Sequence, residues 1–149
     1  MTPRRSAIRG DLVDFTGDPG LDSLETTAVR HRPDHWLLVE DGHIVGAQAQ
    51  EPDARWQRVD HRGRLILPGF IDTHVHSAQV DVIGSWGTQL LDWLDTHTFP
   101  AEQRMADPAH AAAMSALFID ELLAHGTTAA CVFPSVHKGS VDALFGAAR

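Results

Sequence analysis

The stretch Leu67-Pro68-Gly69-Phe70-Ile71-Asp72-Thr73-His74-Val75-His76 limits what this chain can fold into more than any other. Pro68 and Gly69 punctuate its start. Phe70, Ile71, Thr73 and Val75 favour an extended backbone. A short buried strand is expected here, ending in two histidines. Side chains at i and i+2 of a strand point to one face, so His74 and His76 project together and Asp72 shares their side. Two imidazoles held on one rigid element suit a divalent metal such as zinc, which takes neutral nitrogen ligands. The pair alone is a weak signal, because two polar residues at a strand end explain it as well. The surrounding residues decide between the two.

Pro-Gly-Phe-Ile-Asp-Thr-His-Val-His resembles the first barrel strand of the amidohydrolase superfamily. The segments Ser77-Ala78-Gln79, Gly84, Leu90-Leu91-Asp92-Trp93-Leu94, Thr98-Phe99-Pro100-Ala101-Glu102 and Gly126-Thr127-Thr128-Ala129-Ala130-Cys131 are similar, more narrowly, to the guanine deaminases within it. The resemblance runs from about Ile8 onward and is specific from Pro68 to Cys131. It implies an α/β fold, the metal-dependent (β/α)8 barrel, preceded by part of a small β-sandwich. Residues 1–67 are expected to be the first part of that sandwich, and residues 68–149 the start of the catalytic barrel. Such a barrel typically needs ~250 residues. With 149 residues, the chain is expected to hold only the first strands and helices, and to be inactive by itself.

Composition narrows the alternatives. The formal net charge is -8, with 20 acidic and 12 basic residues. That balance argues against a nucleic-acid footprint. Cys131 is the single cysteine, which leaves no disulfide framework within the chain. No apolar run reaches the ~20 residues of a membrane span, and no apolar core follows the arginines of the first residues. A cytoplasmic protein is expected.

Along the chain, Met1 to Ser6 reads as a loose start. Ala7 to Phe15 reads as a strand with Ile8, Val13 and Phe15 inward. Leu21 to Arg32 is ambiguous. Trp36 to Glu40 and His43 to Ala47 read as a hairpin around Asp41-Gly42. Asp53 to Asp60 leads toward another short strand, and His61 to Arg64 reads as a turn before Leu65 to Leu67. His31, His35, His43 and His61 read as surface residues. Ser77 to Thr88 reads as a loop, placed to serve as a lid over the site. Gln89 to His97 reads as a short helix with Leu90, Leu91, Trp93 and Leu94 as its apolar face, stopped by Phe99-Pro100. An irregular passage to Ala106 follows. Asp107 and Pro108 start a helix to His125, on which Met114, Leu117, Phe118 and Leu122 recur at helical spacing. Gly126 ends it. Thr127 to Phe133 reads as a parallel strand buried on both faces, with Cys131 inside. Ser140 to Ala148 begins a last helix.

The resemblance assigns the roles. His74 and His76 are the metal ligands, for one zinc ion per complete site with iron as the other candidate. Two further histidines, an aspartate and a glutamate proton shuttle would come from later barrel strands. The metal would bring a water toward neutral pKa and supply the nucleophile. Asp72 either orients a histidine from behind or caps the backbone near the strand end. Gln79 contacts the purine, since an amide offers both a donor and an acceptor. Trp86 can stack on a flat ligand, and Leu90 reaches the pocket wall. No catalytic acid or base is read within these residues. Phe99 is read as core, and His97, His125 and His137 as helix-end or rim residues.

The function implied is zinc-dependent hydrolysis of guanine to xanthine and ammonia. Guanine is then the small-molecule partner, alongside the remainder of the same enzyme and a second copy in a homodimer. Nucleic acid and membrane are not expected partners. The alternatives are another amidohydrolase, such as an aromatic chlorohydrolase, an adenosine-type deaminase or a cyclic amide hydrolase, or an inert segment that only packs against its remainder.

Overall fold

The computed structural model describes residues 3–20, 27–87 and 89–149. Parts of the expected loose start, of the ambiguous 21–32 segment and of the 77–88 loop lie outside these. The chain divides into two compact units, Met1–Pro68 and Gly69–Arg149.

The first unit is a four-stranded sheet in the order β3-β2-β1-β4. Strand β2 (Val29–Glu40) pairs antiparallel with both β1 (Arg5–Phe15) and β3 (His43–Gln48), and β4 (Gln57–Ile66) pairs parallel to β1. The expected hairpin forms: Asp41 and Gly42 have φ of 50° and 82°, as a two-residue turn with both central residues left-handed requires. β2 is longer than expected and carries Pro33 in its interior. One extra residue there shifts its register against Gly10 and Leu12 of β1, and such a bulge is where a strand tolerates proline. Asp34 takes φ 52° at this point. Its carboxylate accepts two hydrogen bonds from Arg9, at 2.7 and 2.8 Å, and its amide donates to Asp11.

Two expectations are corrected in this unit. The buried side chains of β1 are Ala7 and Leu12, and Trp36 of β2 is buried as well, whereas Phe15 is exposed. The bulge beside Gly10 resets the alternation that simple counting assumes. Residues His61 to Arg64 do not separate two strands. They form an excursion inside β4, where Arg9 pairs with Asp60 and Asp11 already pairs with Leu65. Gly63 at φ 75° lets the chain make that excursion.

The second unit starts with β5 (Phe70–His76), which runs directly into a 3-10 helix, Ser77–Val82. The expected loop is therefore helical in its first half. Ser77, Ala78 and Val80 are buried there. A helical stretch follows as α1 (Leu90–Trp93), a π-helical turn (Leu94–Thr98) and α2 (Phe99–Arg104). Phe99-Pro100 does not end the helix, contrary to expectation. Pro100 falls in the first turn of α2, where a missing N–H costs little, and the wide turn before it accommodates the break. Leu90, Leu91 and Phe99 are exposed rather than core.

α3 (Pro108–Ala124) begins on Asp107, whose carboxylate accepts from the Ala109 amide, and Gly126 follows its end at φ 81°. Ala111, Ser115 and Phe118 are its buried residues. Leu117, expected to face inward, is exposed. β6 (Thr127–Phe133) and α4 (Lys138–Ala147) complete the unit. β6 pairs parallel to β5, with α3 as the crossover that a parallel pair needs. Two buried clusters hold the layer together, Ala78 with Met105 and Ala111, and Val80 with Phe118 and Leu144. β6 is exposed along much of its length, including Cys131. Among the described residues only β5 pairs with it, so the burial expected of a fully covered parallel strand is not met.

Gly69 sets how closely the two strands start. A Cβ there would lie 2.0 Å from Oγ1, 2.3 Å from Cγ2 and 2.7 Å from Cβ of Thr128. Gly69→Ala should therefore destabilise by about 1–3 kcal/mol, as overpacking does. Thr128→Ala should recover part of the loss in the double variant, read by urea unfolding. In the first unit, side-chain and backbone hydrogen bonds from Arg55 hold the Asp53 carboxyl down at about 2. A depressed carboxylate contributes stability above its ordinary value of 3.8, which is lost as pH falls through about 2. Carboxyl-carbon NMR titration should find that low midpoint, and Arg55→Ala should return it toward 3.8.

Candidate metal and ligand site

The site lies at the C-terminal end of β5. Nε2 of His74 and Nε2 of His76 are 3.2 Å apart, with ring centroids at 5.2 Å. Both rings stack on Phe133 at the end of β6, with centroids 4.4 Å from His74 and 5.3 Å from His76. The parallel register puts Phe133 opposite His76. Sequence reasoning gave Phe133 no role. Its position next to His76 depends on a strand pairing across more than fifty residues.

β5 is not a regular strand here. Its register against β6 slips by one residue between Asp72 and Val75. Asp72 Oδ1 accepts the His74 amide at 3.0 Å. Of its two expected roles, this geometry is backbone capping. Bulges re-aim side chains, and this one spans His74 and comes just before His76.

A metal can be tested against this geometry. Two nitrogens bound at ~2.0–2.1 Å to one tetrahedral zinc lie roughly 3.3–3.4 Å apart. The observed 3.2 Å fits two ligands of one ion. Among the described residues no group of three or more His, Cys, Asp or Glu side chains is assembled around them. A zinc site usually has three or four protein ligands, so two imidazoles match only part of such a shell.

A cavity of about 290 Å³ adjoins the pair. His74, His76, Gln79, Gly84, Trp93 and Phe118 are among its lining residues. Gln79 stands on the 3-10 helix, and its Nε2 donates to Glu102 Oε1 on α2 at 3.2 Å. Trp93, read from the sequence as helix core, lines the cavity instead. Gly87 allows it to sit there: a Cβ at Gly87 would lie 2.4 Å from Cβ of Trp93. Trp86 and Leu90 are not among the lining residues. They are 84% and 69% exposed. The Trp86 carbonyl is nonetheless tied down, accepting from His97 Nε2 at 3.1 Å. Glu102 falls inside the motif quoted above, but nothing in its spacing announced a link to Gln79.

Residues 65–149 match the amidohydrolase family. The chain is 45% identical over 148 residues to the guanine deaminase of Escherichia coli (strain K12), covering 95% of this chain and 34% of that protein. The solved structure of E. coli guanine deaminase superposes with a TM-score of 0.82 at 44% identity, over 96% of this chain and 34% of that one. A guanine deaminase from C. acetobutylicum, solved with guanine bound in its active site, gives 0.76 at 27% identity, over 96% and 33%. The chain thus spans about a third of the length of these relatives. Its strands and helices correspond to part of their (β/α)8-barrel architecture.

Proposed function

The chain belongs to the amidohydrolase family, and from that premise we propose that the protein carrying it hydrolyses guanine to xanthine and ammonia, with zinc bound by His74 and His76. One observation carries the reading: two imidazole nitrogens 3.2 Å apart open onto a cavity that Gln79 lines, in a chain 45% identical to a guanine deaminase. In the reaction, water adds at the ring carbon bearing the amino group. The carbon–nitrogen bond breaks, and the amine leaves as ammonia.

Zinc held by the two histidines would supply a water whose pKa is lowered toward 7, a nucleophile available at neutral pH. The chain's own residues do the positioning. Asp72, through the His74 amide, fixes the backbone that aims the first imidazole. Phe133 forms an apolar floor under both rings, which limits their rotation. Gln79 offers hydrogen bonds to the purine edge. Trp93 gives the cavity a flat wall suited to a planar ring. Trp86 and Leu90 belong to this proposal as residues that meet the substrate from the rim. The remaining ligands, the proton shuttle and a homodimeric assembly are assigned to other parts of the protein. No helix among the described residues is long and apolar enough to cross a membrane. We assign the activity to the cytoplasm, consistent with a single cysteine.

His74→Ala and His76→Ala should each remove most bound zinc, measured by elemental analysis, and nearly all release of xanthine from guanine. Phe133→Ala should weaken zinc binding by about 10–100-fold, the usual effect of losing support behind metal ligands. Normal zinc content in both histidine variants would sink the metal assignment. A wild-type protein inert toward guanine but active on a chlorinated ring or a cyclic amide would overturn the substrate.

A further inference from the structure

Gln79 and Glu102 form one of two parallel links between the same two elements. Gln79 on the 3-10 helix donates to Glu102 on α2. Two residues further along both elements, Arg104 pairs with Asp81. Beneath these links the packing is tight: Ala78, Ala101 and Met105 are buried. The 3-10 helix is therefore gripped by α2 through two side-chain rungs and an apolar base.

The first rung does more than hold. A carboxamide has two chemically opposite ends, and rotating it by half a turn exchanges donor for acceptor. A glutamate carboxylate accepts and does not donate. It can pair only with the N–H end of Gln79. That leaves Oε1, the acceptor, for a ligand in the cavity that Gln79 lines. From this juxtaposition we propose that Glu102 is a positioning residue that fixes the polarity of the Gln79 amide, so that the site selects purines presenting an N–H donor on the six-membered ring. The inference rests on the substrate proposed above and adds which edge of it is read.

Guanine carries such a donor at N1. 2-Aminopurine keeps the exocyclic amine but has a bare acceptor nitrogen at that place. An acceptor facing an acceptor leaves both unsatisfied, and a site built around a hydrogen bond discriminates strongly against analogues that cannot make it. Wild-type protein should prefer guanine. Glu102→Gln keeps the shape of the side chain but can donate or accept, so the Gln79 amide is free to turn.

The test uses the protein with its metal loaded and compares wild type, Glu102→Gln, Gln79→Ala and the double variant on both purines. Glu102→Gln should keep its zinc and fold while guanine kcat/KM falls roughly ten- to a hundredfold. The preference for guanine over 2-aminopurine should narrow with it. In the Gln79→Ala background Glu102→Gln should add almost nothing, because the amide it orients is gone. Arg104→Ala, which breaks the second rung without touching the amide, should lower thermal stability and leave the purine ratio near that of wild type. Side-chain amide NMR supplies a readout independent of turnover: one Gln79 N–H proton should show the hydrogen bond to Glu102 in wild type and lose that signature in Glu102→Gln. If wild type does not deaminate guanine, the substrate reading falls, and the amide signal alone decides the role of Glu102. An unchanged purine ratio in Glu102→Gln, full additivity with Gln79→Ala, or an unaltered Gln79 amide signal each overturns the proposal.

Discussion

The parallel pairing of β5 with β6 is the contact on which the second unit depends. A parallel pair cannot close through a tight turn, so it requires α3 and the helical stretch before it as a connection. The pairing brings Phe133 beside His76 and gives both imidazoles one apolar surface to lean on. It also demands a strand start without a side chain, because Thr128 occupies the space beside Gly69. The family signature around Pro68-Gly69 is thus a packing requirement at one end of the strand and a chemical one at the other.

In the first unit the ordering forces are different. Few of its residues are fully buried, and arginine–aspartate pairs run along its exposed faces, including Arg9 with Asp34 and both Arg30 and Arg32 with Asp14. Hydrogen bonds from these arginines hold the Asp34 and Asp14 carboxyls below the usual carboxylate range. Exposed pairs of this kind contribute little each. Their value lies in register: Asp34 sits at the bulge of β2, and its three hydrogen bonds to β1 pin the place where the pairing slips.

The local signals in the sequence were legible where a single residue type decides the geometry. Asp41-Gly42, the Asp107-Pro108 start of α3, the Gly126 stop and the strand before His74 all follow from backbone preference. The errors came where a second element overrode the first. Phe99-Pro100 looked like a stop, yet a widened helical turn absorbs it. His61 to Arg64 looked like a turn, yet β1 resumes pairing with β4 beyond it. Ser77 to Val82 looked like a loop because its residues are small, yet small size is what lets it pack under α3. His74 and His76 could be read as a pair from their spacing alone. Glu102 and Phe133 could not, because their importance lies in partners far along the chain.

The π-helical turn between α1 and α2 has a consequence for rotational phase. A hydrogen bond that spans five residues instead of four takes more residues to complete each revolution. Everything before the turn is rotated about the helix axis relative to everything after it. Trp93 lies just before it and faces the cavity. Thr98 and Ala101 lie at its end and beyond, and are buried. In an uninterrupted α-helix a five-residue step spans roughly 140° of turn, at 3.6 residues per revolution, which would set Trp93 and Thr98 on well-separated faces. The wider turn draws them together. Removing one residue from Leu94–Thr98 would leave the helix intact as a helix, while turning the indole away from the face that α2 presents.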